Sequence, residues 1–157
     1  MTRNHMLLAI DRTAAGDAAL DFAIGLAAGW DARVTVLHVR EVSPVRGIPP
    51  LESLDDARRL VEESMARIDR AGVAAAGLVH TAREDVVARC IVEASKERWC
   101  DGIILGSHRR RGLRRLNGAG VRDRVMRTTP LPVFVAPPAL RCGRPNWAEA
   151  FSHVGGA

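Results

Sequence analysis

Aromatic side chains are scarce in this chain: three tryptophans and three phenylalanines among 157 residues, and no tyrosine. A platform that stacks the bases of single-stranded nucleic acid needs such rings close together, so composition argues against that class of module. Three cysteines, Cys90, Cys100 and Cys142, form neither an even disulfide framework nor a C-x-x-C pair, and they read as reduced and structural. No apolar run approaches the roughly 18 residues of a membrane span, and the run near the amino end is too short for a secretory signal, so a cytoplasmic protein is expected. Lys96 is the only lysine, and no Walker lysine, nucleophile elbow or metal-ligand spacing occurs. Those absences leave no recognisable catalytic centre, and a non-enzymatic role is expected.

What is present is ordinary globular material, 47% apolar and 26% charged, in a length suited to one domain. The net charge of +5 is an arginine charge concentrated between positions 108 and 127. Residues 1–138 read as the domain. The stretch 139–157 reads as an appended tail in which Trp147, Phe151 and Val154 recur at helical spacing.

The periodicity alternates along the domain. A short apolar run at 6–10 ends at Asp11 and suits a buried strand. Ala15, Ala18, Ala19, Phe22, Ala23, Leu26 and Ala27 then form a helical stripe, with Gly29 as its terminator. Residues 34–39 are β-branched and predict a second strand, followed by a proline- and glycine-interrupted surface loop. Ser53, Asp55 and Asp56 supply the cap and first-turn charge of a second helix that runs to Gly72. A weaker third strand is expected over 73–80, a helix over 86–97 and a strand over 102–105. A short helix over 121–127 and a last strand over 133–135 complete the series. Such alternation predicts an α/β fold, a three-layer open five-stranded parallel sheet with right-handed crossovers and helices on both faces.

In an open parallel sheet, ligands bind beyond the carboxyl ends of the strands, where strand order reverses. That rule selects Asp11, the neighbourhood of Val39, and the loop after Leu105. Asp11 either accepts hydrogen bonds from a ribose or base, or caps the helix that begins near Thr13. The loop from Gly106 to Gly120 is rich in glycine and arginine and leads into a helix start, whose free amides attract anions. The alternative is that its glycines serve turns and its arginines form a solvated face.

Several pieces now resemble the universal stress protein family in both order and spacing. They are Ala9-Ile10-Asp11, Leu37-His38-Val39, Asp101-Gly102-Ile103-Ile104-Leu105-Gly106-Ser107-His108, Arg111-Gly112-Leu113-Arg114-Arg115-Leu116, and Pro130-Leu131-Pro132-Val133-Phe134-Val135. The resemblance implies the adenine nucleotide α-hydrolase-like fold and a homodimer joined through the last strand, here Val133, Phe134, Val135 and Ala136. An unpaired apolar edge strand invites such pairing. It also implies an ATP site with Asp11 and Val39 as base and ribose neighbours.

ATP-binding members carry G-x2-G-x9-G-[ST], and a gap-free placement sets its four fixed positions on Gly106, Arg109, Ala119 and Gly120. Only Gly106 matches. Arg109 brings bulk and charge, Ala119 a methyl group, and Gly120 lacks the hydroxyl that would cap the helix and meet phosphate. The expectation is a regulatory stress-response module with ATP binding weakened or lost. A second reading has Arg109, Gly118 and Gly120 rebuild an anion site around ATP or AMP, the arginine through its planar fork, and Gly112 is a further candidate cofactor-binding residue of the loop. A third treats the arginine cluster as a nonspecific surface for nucleic acid or an acidic partner.

Overall fold

The computed structural model describes residues 4–43, 45, 47–107 and 120–138. Five strands and four helices alternate: β1 (His5–Ile10), α1 (Ala14–Trp30), β2 (Arg33–Val42), α2 (Leu54–Arg70), β3 (Ala75–Arg83), α3 (Val87–Glu97), β4 (Gly102–Leu105), α4 (Val121–Thr128) and β5 (Val133–Val135). The strands form one parallel sheet in the order β3-β2-β1-β4-β5. This is the α/β fold expected from the alternation. Because the chain steps outward from β1 to β3 and then returns past it to β4, strand order reverses between β1 and β4.

Each face of the sheet has its own core. Met6, Leu8, Ile10, Val34, Val36 and Ile104 point towards Leu20 and Ala23 of α1 and Val61 and Ile68 of α2. Leu7, Leu37, Val39, Ile103 and Leu105 point the other way, towards Val87, Ile91 and Val92 of α3 and Val125 of α4. Period-two alternation in strands apolar on both sides requires this arrangement. Arg67 of α2 also reaches Asp21 of α1 at 2.6 Å and Asp17 at 3.3 Å, a surface tie between neighbouring helices.

Three expectations are corrected at element ends. Gly29 lies inside α1, which runs to Trp30 and stops where Asp31 adopts the left-handed conformation and its N–H bonds to Ala27 O. Aspartate tolerates that conformation better than most residues, so a glycine was not needed. β2 continues to Val42, and β3 occupies 75–83 rather than 73–80, because its ladder with β2 runs from Val34↔Ala75 to Val42↔Arg83. Strand pairing, not local propensity, sets these ends. Finally, Glu84–Val86 make a short 3₁₀ turn ahead of α3. Among the described residues no helix is long and apolar enough to cross a membrane.

Candidate functional site

Three strand ends converge where the sheet reverses. Ile10 is in register with His38, and Leu8 with Ile104, so Asp11 and Gly106 leave their strands level with Val39 of β2, at one carboxyl edge. Beyond His38 the strands part. β2 remains paired with β3 as far as Val42 but with β1 only to His38. Four residues of β2 therefore stand past the last register pair with β1.

Asp11 is exposed and its carboxylate is engaged locally. Its Oδ1 accepts from Thr13 N at 3.0 Å and from the Thr13 hydroxyl, while Thr13 Oγ1 accepts from Gly16 N at 3.3 Å. The N-cap of α1 is therefore Thr13 and not Asp11, whose carboxylate holds Thr13 in place. Gly16 has a reason of its own: a Cβ there would lie 2.2 Å from Asp11 O, so only glycine lets α1 begin this close to the strand exit. Val39 turns its side chain into the second core, leaving backbone as its contribution at the edge. Gly106 is needed for packing as well, since a Cβ would meet Ala15 O at 2.7 Å.

Gly120 opens α4 with no side-chain cap on the helix amides, and open space surrounds the position a Cβ would take. Arg109, Gly112, Gly118 and Ala119 lie outside the described residues, as does the tail with Trp147, Phe151 and Val154. Of the arginine cluster, three described members make contacts within the chain. Arg122 reaches Asp123 Oδ1 at 3.1 Å, Arg124 donates to Asp85 O at 3.3 Å, and Arg127 donates to Asp123 O at 3.2 Å.

The sequence reading missed a charged network at the base of the β2 overhang. His38 is buried on the α1 and α2 face, in line with Val34 and Val36. Its Nδ1 lies 3.0 Å from Ile10 O and its Nε2 2.7 Å from Glu52 Oε2. Arg12 donates through Nε to Glu52 Oε1 at 2.6 Å and through its terminal amine to Asp56 O. Arg40 donates to Glu52 O at 2.8 Å. Partial burial works against the Glu52 charge, but hydrogen bonds from His38 and Arg12 outweigh it and hold the carboxyl below its usual range. A signal was available: a polar side chain at the third position of an inward apolar series must find a partner.

The family model of the universal stress protein family matches residues 2–137. The chain belongs to the universal stress protein family. A universal stress protein of Methanocaldococcus jannaschii is 30% identical over 118 residues, covering 72% of this chain and 69% of its own. Among solved structures, a universal stress family protein of Burkholderia pseudomallei is 29% identical with a TM-score of 0.69, covering 87% of this chain and 96% of its own. The universal stress protein of Archaeoglobus fulgidus, solved in complex with dAMP, is 20% identical with a TM-score of 0.62, covering 87% of this chain and all of its own. At that identity the likeness shows the universal stress fold.

Proposed function

We propose that this universal stress protein is a cytoplasmic, homodimeric regulatory module without catalytic activity of its own, whose carboxyl edge takes an adenine nucleotide by its base end and holds the phosphates weakly. The observation that carries the reading is the overhang of β2. Val39, just past the last register pair with β1, stands beside Asp11, where backbone groups of the overhang can meet a purine edge. The relative from Archaeoglobus fulgidus, solved with dAMP, is consistent with a mononucleotide at this edge.

The phosphate end is the weaker half. Gly120 starts α4 without a hydroxyl cap, and Arg109 and Ala119 replace bare backbone in the family pattern. Helix amides alone attract anions, but a hydroxyl and close-approach glycines add the directed contacts. The expected ranking is therefore AMP at least as tight as ATP. The dimer is assigned to the edge strand β5, whose residues Val133, Phe134 and Val135 are only partly covered.

Calorimetric titration with ATP, ADP and AMP in magnesium buffer tests this directly. Binding of AMP with little gain from added phosphates supports it; no heat at millimolar ligand removes the nucleotide. A triple reversion, Arg109→Gly, Ala119→Gly and Gly120→Ser, should raise ATP affinity selectively, and an unchanged ATP affinity would overturn the account of the loop.

A further inference from the structure

The connector between β2 and α2 carries four apolar side chains within ten residues, Val45, Ile48, Leu51 and Leu54, and all four are exposed, Leu51 completely. None of them belongs to either core. Single exposed apolar residues are ordinary, but four gathered on one short connector mark an interaction surface.

The connector is also held in one place. Pro49 and Pro50 fix their own backbone angles. Glu52 meets His38 Nε2 at 2.7 Å, accepts from Arg12 Nε at 2.6 Å, and takes Arg40 on its carbonyl at 2.8 Å. Leu51 stands between the second proline and the tied Glu52, so a partner seated on it meets backbone that is already ordered.

Position in the fold points to the occupant. The other large exposed apolar side chains lie elsewhere: Trp30 ends α1 and Trp99 precedes β4, both at the amino edge of the sheet, and Met126 is on α4, on the opposite face from α2. The connector is at the carboxyl edge, and so is the exit of the domain, because β5 is parallel to β4 and Ala136 N donates to Leu105 O at the last residue of β4. From that exit residues 139–157 continue, with two of the six aromatic residues of the chain. These two, Trp147 and Phe151, make with Val154 an apolar stripe at i, i+4 and i+7, directly after the capping type Asn146. The exit strand β5 is three strand spacings from β2, about 14–15 Å, and the nine residues from Pro138 to Trp147 reach about 30 Å when extended.

We propose that residues 147–154 seat as a short amphipathic helix on the connector of the same chain, with Trp147 and Phe151 against Ile48 and Leu51. A helix of this length does not hold alone in water, so its order depends on the cover that the connector gives to its apolar face.

Hydrogen exchange of the full chain, read by mass spectrometry, tests the docking. Amides of 148–154 should exchange roughly tenfold more slowly than unstructured chain, the scale of a marginally stable local element. Leu51→Ser and Phe151→Ser should each abolish that protection while the domain keeps its wild-type pattern, since Leu51 is fully exposed and Phe151 lies outside the domain. Trp99→Ser, at the other edge, should leave the protection unchanged. A segment that exchanges freely in wild type, that stays protected in Leu51→Ser, or that loses protection in Trp99→Ser overturns the proposal. An equimolar mixture of the Leu51→Ser and Phe151→Ser chains, unfolded and refolded together, should regain no protection. Regained protection would seat the segment on a second copy and overturn its assignment to its own chain.

Discussion

The indole of Trp30 meets the ring of Phe134 edge-on, with centroids 5.5 Å apart and planes inclined at 75°. This contact joins the last residue of α1 to the middle of the edge strand β5. Phe134 also lies against Gly102, where a Cβ would come within 3.1 Å of the ring. The large side chain on β5 therefore fills space that the small residue on β4 leaves.

Truncating that ring should weaken the sheet edge. Phe134→Ala is expected to cost roughly 2–4 kcal/mol, somewhat below a fully buried phenylalanine, and Trp30→Ala less. A double-mutant cycle should show coupling of about 0.5–1.5 kcal/mol, the range for an edge-to-face pair. Urea unfolding followed by circular dichroism, at one protein concentration, provides the numbers. Strict additivity would mean the contact carries no energy of its own.

Glycines at the carboxyl edge should respond in opposite ways. Gly106→Ala places a methyl 2.7 Å from Ala15 O, a backbone atom that cannot swing away, so a loss of roughly 1–3 kcal/mol is expected. At Gly120 nothing lies within 4 Å, and serine can cap α4. Gly120→Ser should therefore be neutral or gain a few tenths of a kcal/mol. Equal destabilisation by the two changes would contradict the packing described for Gly106.

Acid should find the opposite end of the sheet. His5 is buried, its Nε2 lies 2.8 Å from Thr35 Oγ1, and its Nδ1 has no hydrogen-bond partner among the described residues. Desolvation, followed by the nearby charge of Arg33, holds the ring below the ordinary value of 6.5. The unfolded chain then binds the proton more readily. Stability from this site is complete above pH 6.5 and is lost as pH falls from there through the lowered folded value. The urea midpoint should drop over that interval in wild type and drop less in His5→Gln. Parallel profiles for the two proteins would assign the acid sensitivity elsewhere.

Much of the fold was legible because it rests on local patterns. Val34, Val36 and the apolar run before Asp11 mark strands by composition, and the cap Ser53 marks a helix start by chemistry, whereas the cap of α1 is Thr13 and not the expected Asp11. Ser53 accepts from Asp56 N at 3.0 Å, as the helix-start pattern anticipates. The end of α1 and the span of β3 were not legible in the same way. A left-handed Asp31 serves where glycine was expected, and β3 takes its bounds from the strand beside it.

The candidate site divides along the same line. Asp11, Val39 and Gly106 could be placed at one edge from strand ends and the reversal rule, since topology alone brings strand termini together. Glu52 could not, because it sits in a proline-rich connector without periodicity.

By itself the sequence determined the order of strands and helices, the two-sided burial of the sheet and the family, since each depends on residue type at short, regular spacing. Only the tertiary structure decided that β2 outruns β1, that Asp11 serves Thr13, and that His38, Arg12 and Arg40 share Glu52. Those are contacts between segments distant in the chain. Their geometry follows from ladder register and helix packing, which no local spacing encodes.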